Sequence, residues 1–338
     1  MRTAECVMPG HPDKICDQIA DAILDEFLKQ DPDSRVAIEV LGGHGKIFIV
    51  GEVTSHGIVD YVMVAHQVLT GLRVPGVYEV VTNVVKQSPD IALGVDSGGA
   101  GDQGVMVGYA TTETLEMLPL PFVYARRITH KLFELGPELN LGPDGKAQVT
   151  LDDSNQPAEI VVSVQHPEAM SIDTVREIVK SKILGPLFGD LSKIELFINA
   201  TGRFVVGGFD GDAGLTGRKL VVDAYGPEIN VGGGAFSGKD PSKVDRSAAY
   251  MARYLAKWLV RRHQLPWARV TLAYSIGVAK PLMVKVEPEA GLSEELKMNF
   301  DLTPGGIISF LNLKRPIYLD TARFGHFGRA GFPWENAS

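Results

Sequence analysis

The stretch Gly232-Gly-Gly-Ala-Phe-Ser-Gly-Lys239-Asp-Pro-Ser-Lys243-Val-Asp245-Arg246 organises the reading of this chain. It holds four glycines, two lysines four apart and two aspartates five apart. A helix is expected behind it over 241–263, with Pro241 in the first turn and Asp240 as cap. Glycine lets a backbone come close to a ligand, and amides at a helix start attract phosphate. Lys239 and Lys243 add positive charge, and Asp245 is a candidate metal ligand. From Gly233 to Lys239 the segment nearly fits the pattern G-x-x-x-x-G-K-[ST] and fails at Asp240. The preceding Leu220-Val-Val-Asp-Ala-Tyr225, read as a strand, ends too early to run into the glycines. The stretch therefore reads as a phosphate cradle outside the P-loop fold. The alternative is a mobile surface loop before an ordinary helix.

Working outward, the chain has 338 residues, 45% hydrophobic and 22% charged. That is the composition of an ordinary globular protein, long enough for two or three domains. No apolar run approaches the ~20 residues of a membrane span, and the N-terminus has no signal-peptide pattern. Two cysteines, Cys6 and Cys16, make no disulfide framework, so a cytoplasmic location is expected. A net charge of −8 argues against nucleic-acid binding. Yet Gly202–Arg262 carries ten Lys/Arg against six Asp/Glu, a local +4. That suits a pocket for a small polyanion; the alternative is a chance fluctuation of solvated charge.

Gly10-His11-Pro12-Asp13-Lys14 opens an expected amphipathic helix over 11–30, with Pro12 at its start. Asp13, Asp17, Asp21 and Asp25 recur every four residues on one face. Asp17, Asp21 and Asp25 read as a solvated stripe. Asp13 lies in the first turn beside His11 and Lys14, where it either serves chemistry or only favours the helix dipole; His11 alone is equally compatible with a structural role. Runs at 35–41 and 46–54 read as a hairpin turned by Gly42-Gly43-His44-Gly45. Glu39 and Glu52 lie in these apolar runs, so each faces solvent or meets a cation. A helix at 58–72, a strand at 78–85, a polar loop from Gln87 to Gly104 and a strand at 105–109 follow. Such a loop often forms a lid or binding loop. Helices at 122–135 and 171–184 alternate with strands at 146–151, 159–165 and 194–199. Strands at 268–275 and 282–287 follow the long helix, whose apolar set includes Val244, Ala248, Met251, Leu255, Trp258 and Leu259. Hairpins alternating with single helices indicate an α+β fold of a few similar sheet-plus-helix units.

The unusual pieces share one chemistry. Glycine-rich loops lie at 98–104, 207–217 and 232–238. The basic groups are Lys146, Arg218, Lys219, Lys239 and Lys243; the acidic ones are Asp13, Asp102, Asp212 and Asp245. Phe204 is suited to stack on a base. Together they propose a nucleoside polyphosphate held by cations, with magnesium on one or two aspartates. No Ser-His-Asp or Cys-His arrangement and no zinc spacing stands out.

Gly-His-Pro-Asp-Lys (10–14), Gly-Ala-Gly-Asp-Gln-Gly (99–104) and the segment 232–247 resemble the three signature segments of the S-adenosylmethionine synthetase (methionine adenosyltransferase) family. Segments 86–91, 201–205, 214–219 and 325–329 are also similar to it, in order through nearly the whole chain. The resemblance implies three related sheet-plus-helix domains in pseudo-threefold arrangement, over 1–90, 98–208 and 210–338. It implies that ATP, L-methionine and water give S-adenosylmethionine, phosphate and diphosphate. It implies a homodimer or homotetramer whose active sites are shared by two chains, with no nucleic acid or membrane involved. By motif, His11 would contact the leaving group near C5′, and Lys146, Arg218, Lys219 and Lys239 would bind phosphates beside Ala235. Phe204 would stack on adenine, with Asp144 and Arg203 nearby. Asp102, Asp212, Glu52, Gln87 and Lys243 would frame methionine and ribose. Asp13 and Asp245 would hold two magnesium ions per site, and Glu39 potassium.

Three departures mark this chain. The segment between Gln87 and Gly98 is shorter than a family lid, the span from Glu52 to Gln87 is compact, and the chain stops soon after Phe332-Pro-Trp-Glu335. A short lid is expected to close less completely, admit larger methionine analogues and release product faster. Two rival functions are a kinase using the near-P-loop and an ATP-binding assembly subunit without turnover. Asp240 argues against the first, and the full set of charged residues against the second.

Overall fold

Three sheets, each backed by one long helix, build the molecule. The structure is a computed structural model that describes residues 1–87 and 98–337. The first third contains β1 (Arg2–Val7), α1 (Pro12–Gln30), β2 (Arg35–Gly43), β3 (Lys46–Thr54), α2 (Tyr61–Gly71) and β4 (Glu79–Val85). The middle contains β5 (Gly104–Thr111), α3 (Leu120–Leu139), β6 (Gly145–Leu151), β7 (Pro157–Val164), α4 (Ile172–Ile178), α5 (Gly185–Phe188) and β8 (Glu195–Ile198). The last part contains β9 (Gly214–Leu215), α6 (Leu220–Asp223), α7 (Val244–His263), β10 (Trp267–Tyr274), β11 (Met283–Glu287), α8 (Leu292–Asn299), α9 (Pro304–Phe310) and α10 (Tyr318–Thr321).

The sheets have strand orders β4-β3-β2-β9, β1-β6-β7-β8 and β11-β10-β5. α1 packs on the first, α3 on the second and α7 on the third. This is the α+β architecture of three related sheet-plus-helix units expected from the sequence. The units are not self-contained along the chain, because each sheet takes a strand from another segment. β1 pairs antiparallel with β6, β5 with β10, and β9 with β2. The six-residue β1 precedes every motif and was not foreseen.

α1 starts where its sequence says it should. Pro12 occupies the first turn, and the His11 ring accepts from the Asp13 N–H. Its acidic stripe is the first correction. Asp17, Asp21 and Asp25 are buried, as is Asp13, because other segments cover that face and supply donors for every carboxylate.

α7 begins at Val244 rather than 241, capped by Lys243. Asp240 is drawn away to β2, where its carboxylate accepts from the Val36 N–H at 2.7 Å. The Leu220–Tyr225 run is a helical turn, not a strand. Its β-branched residues are overridden by the Asp223 N–H, which donates to the Lys219 carbonyl at 2.8 Å. The 171–184 helix is α4 followed by a π-type turn over Val179–Leu184. No described helix is long and apolar enough to cross a membrane.

Candidate active site

Both basic loops dock on one edge of β2, one after the other. Toward its C-terminal end, Leu215 and Gly214 pair with Leu41 and Gly42. The Thr216 N–H donates to the Val40 carbonyl at 3.0 Å, and the Val40 N–H donates to Thr216 Oγ1 at 2.9 Å. Toward its N-terminal end, the Ile38 N–H donates to the Gly238 carbonyl and the Asp240 N–H to the Val36 carbonyl, each at 3.0 Å. The strand thus fixes the backbone of residues 214–216, just before Arg218 and Lys219, and of 238–240, which carry Lys239.

The first cluster forms at the start of α1. Asp13, fully buried, accepts from the Leu215 N–H at 3.0 Å and pairs with Arg218 at 2.9 Å and with the Lys219 ammonium. Burial works to raise this carboxyl, but Lys219 and the Leu215 N–H outweigh it and hold it below the usual range. His11 is pushed the other way. Burial and the Lys219 ammonium, joined by Lys146 and Lys14, lower its pKa to about 3. The ring is therefore neutral, and since Nδ1 accepts from the Asp13 N–H at 3.2 Å, Nε2 carries the proton and is a donor. Lys146 stands exposed on β6, opposite Val7 of β1 in register.

Asp144 adjoins this cluster. It accepts from the Gly208 N–H at 2.8 Å, and burial raises it to about 6 against the pull of that N–H. The Lys146 and Asp212 charges act on it as well. Phe204 is half-buried, its N–H donating to His166 Nε2 at 3.2 Å and its carbonyl accepting from the His166 N–H at 2.9 Å. Arg203 is turned to solvent and pairs with Glu168 at 2.8 Å.

The second cluster lines a cleft of about 320 Å³ bounded by Arg35, Glu52, Gln87, Asp102, Lys239, Lys243 and Asp245. Lys239 pairs with Asp245 at 2.7 Å and Lys243 with Asp240 at 2.5 Å. Among the described residues, none of His11, Asp13, Lys146, Arg218 or Lys219 lines this cleft. Ala235 lies between the clusters, against Gly217. Glu39 is on the outward face of β2, its carboxyl raised by partial desolvation against the nearby Lys239 ammonium.

No group of three or more His, Cys, Asp or Glu side chains suited to a metal occurs among the described residues. The expected chemistry puts magnesium on one or two aspartates, with phosphate oxygens among its other ligands. Asp245 fits by charge and by its place in the cleft wall, where a metal must share or replace its Lys239 partner. Asp13 fits by charge, but its oxygens already serve Arg218, Lys219 and the Leu215 N–H, so a metal there must share or replace those donors. The short segment expected to act as a lid, 88–97, lies outside the described residues.

Asp13 and Asp245, both conspicuous in the sequence, hold three of these cations; the rest of the support is not conspicuous. Asp240 reads as a helix cap, Arg246 carries no sequence signal, and Asp17 and Asp21 read as solvated. Their i, i+4 recurrence was the available signal, but an exposed stripe has the same spacing.

An α+β fold with two basic, glycine-rich loops on one strand edge is the class of architecture suited to a compact anion. Three family models say which family it is. The N-terminal, central and C-terminal domain models of S-adenosylmethionine synthetase match residues 1–88, 97–204 and 206–336. The S-adenosylmethionine synthase of Sorangium cellulosum (strain So ce56) is 46% identical over 366 residues, covering 98% of this chain and 86% of that protein. The S-adenosylmethionine synthase of Sulfurovum sp. (strain NBC37-1) is 46% identical over 368 residues, covering 98% and 95%. The chain belongs to the S-adenosylmethionine synthetase family and is an enzyme of the methionine adenosyltransferase class.

Proposed function

We propose that the chain joins ATP to L-methionine in a site built from the first cluster of one protomer and the second cluster of another. The observation that carries this reading is the division of the cations. Arg218 and Lys219 face the start of α1, Lys239 and Lys243 face a separate cleft, and both loops hang on the same strand. One outward face of the β4-β3-β2-β9 sheet supplies the means to join them. Leu215, Leu41, Phe48 and Val81 stand in one row across its four strands and are 37–45% exposed. An apolar row on a sheet face favours a second copy, and twofold apposition would set each first cluster against its partner's second.

The chemistry follows from the groups present. A thioether sulfur carries no proton, so its attack on ribose C5′ needs no general base. The sulfur lone pair forms the S–C bond as the C5′–O bond breaks and triphosphate leaves; water then cleaves triphosphate to phosphate and diphosphate. Catalysis consists of aligning sulfur, carbon and leaving oxygen, and of meeting the charge that develops on the leaving group. Neutral His11 donates from Nε2 toward the leaving oxygen. Lys146, Arg218, Lys219 and Lys239 bind the phosphates, and Phe204 stacks on adenine with Asp144 and Arg203 near it. Glu52, Gln87, Asp102, Asp212 and Lys243 frame methionine and ribose. Asp13 and Asp245 would hold magnesium, which would supply further neutralisation of the phosphate oxygens, and Glu39 would hold potassium.

Incubation with ATP, methionine, magnesium and potassium, followed by mass spectrometry, is expected to show the sulfonium product with phosphate and diphosphate. ADP together with a phosphorylated acceptor would instead establish a kinase.

A further inference from the structure

The buried acidic face of α1 is a ladder of backbone clamps. Asp13 accepts from the Leu215 N–H at 3.0 Å, Asp17 from Gly217 at 2.8 Å and Asp21 from Gly238 at 2.8 Å. Asp25 accepts from Tyr318 and Leu319, at 2.9 and 2.8 Å. Rungs four residues apart are spaced about 6 Å along the helix. The first two rungs hold the loop of Arg218 and Lys219, and the third holds the loop of Lys239.

The third rung is the most elaborate. The Asp21 carboxylate takes both arms of the Arg246 guanidinium, at 2.6 and 2.8 Å. The same guanidinium donates to the Lys239 carbonyl at 3.1 Å, to Thr321 Oγ1 at 2.9 Å and to Tyr250 Oη at 3.1 Å. It lies 4.2 Å from the Tyr318 ring centroid. Both side chains are 0% exposed. A buried ion pair stabilises a fold no better than apolar packing of the same volume. What this one adds is a planar, directional fork. Asp21 fixes the Gly238 N–H and Arg246 the Lys239 carbonyl, the two ends of the dipeptide that carries the lysine, while the lysine side chain extends into the cleft wall beside Asp245.

We propose that Asp21 is a positioning residue for Lys239, acting through Arg246 and the Gly238 N–H. It touches no substrate. It sets where the Lys239 ammonium stands, and through α1 it ties that loop to the one carrying Arg218 and Lys219. The proposal rests on the phosphate-binding role proposed for Lys239.

The test is a double-mutant cycle on the full-length enzyme, reading kcat/KM for ATP by sulfonium formation. Asp21→Asn and Arg246→Lys are each made alone and with Lys239→Met. Each is expected to lower kcat/KM at least about tenfold with Lys239 present, and less than about twofold in the Lys239→Met background, because the effect passes through that lysine. Losses of equal factor in both backgrounds would show a general structural role and overturn the proposal, as would wild-type kinetics in the single variants. If Asp21→Asn does not fold, Arg246→Lys decides by the same comparison, since it keeps a cation beside Asp21 but loses the fork onto the Lys239 carbonyl. A wild-type enzyme that makes no sulfonium sinks the functional reading itself; an active one with multiplying losses sinks only the proposal about Asp21.

Discussion

The two cation-bearing loops sit on the same strand edge but are supported in opposite ways. In the loop at 214–219 the charges are held from a distance: Arg218 and Lys219 pair with Asp13, on a helix two hundred residues earlier. In the loop at 232–243 they are held by near neighbours, Asp240 in the loop and Asp245 in the first turn of α7, each six residues or fewer from its lysine. The second loop's backbone still needs remote support, from β2 and from the Asp21–Arg246 pair. A basic, glycine-rich segment can therefore keep its counter-ions close in sequence while taking its geometry from elsewhere.

The largest expected effect comes from disabling each loop separately. Arg218→Ala and Lys239→Ala should each cost ~10²–10³ in rate, or ~3–4 kcal/mol, the usual loss for one charged donor to a developing anion. Mixing the two inactive proteins then tests whether the clusters act across protomers. With random exchange of subunits, half the dimers are mixed, and each has one site carrying both lesions and one intact site. Activity should recover to about a quarter of wild type. No recovery after verified exchange would mean that both loops serve a site within one chain.

The same contrast explains what could be read from the sequence. The glycine-lysine stretch was legible because its charge, its flexibility and its counter-ions lie within fifteen residues. Hairpins, the long helices and an α+β plan of a few similar units were legible from period and punctuation; that the units are three followed from the family resemblance. The family resemblance ran through nearly the whole chain, and the family models agree with it. The aligned spans of 366 and 368 residues exceed the 338 of this chain, so both relatives carry residues that it lacks. The support of the 214–219 loop was not legible. Asp13 and Arg218 both stood out, but nothing in their local context pairs residues so far apart. Asp17, Asp21 and Asp25 looked solvated because four acids in a stripe ordinarily are. Their burial depends on Lys14, Arg246 and backbone amides delivered by the tertiary fold. Leu220–Tyr225 shows the same limit, its β-branched run overruled by its position after the loop.

A smaller effect should separate the backbone support of the second loop from its charge. Gly238 has φ +81°, and a Cβ there would stand 2.0 Å from the Ile38 carbonyl oxygen. Gly233, in the same loop, has nothing within 4 Å of such a Cβ. Gly238→Ala is expected to destabilise by about 3 kcal/mol through backbone strain and overpacking, against at most about 0.5 kcal/mol for Gly233→Ala. Denaturant midpoints at constant m-value measure both. Equal midpoints would mean that the loop is not held against β2.

The smallest effect concerns the place where the two supports meet. Buried His326 accepts or donates at Nδ1 with Tyr250 Oη, 2.8 Å away, and Tyr250 receives the Arg246 Nε–H on the Lys239 side. The His326 N–H donates to the Asp223 carbonyl at 2.8 Å, and the Asp223 carboxylate pairs with Lys14 under the other loop. Burial, with Arg246 nearby, depresses the His326 pKa well below 6.5. A depressed pKa gives stability that is present above the unfolded value and lost as pH falls, because the unfolded chain takes a proton that the folded one refuses. Asp25, raised by burial to about 7, acts with the opposite sign, stabilising at low pH and losing that contribution as pH rises. The wild-type curve is therefore a balance, and the comparison with His326→Gln isolates the histidine. Between pH 6.5 and 5 the stability advantage of wild type over His326→Gln should shrink as pH falls, by at most ~1.4 kcal/mol per pH unit. Denaturant unfolding at several pH values measures the gap. A gap independent of pH would mean that His326 is charged in the folded protein, and the junction between the loops would then have to contain a carboxylate to meet it.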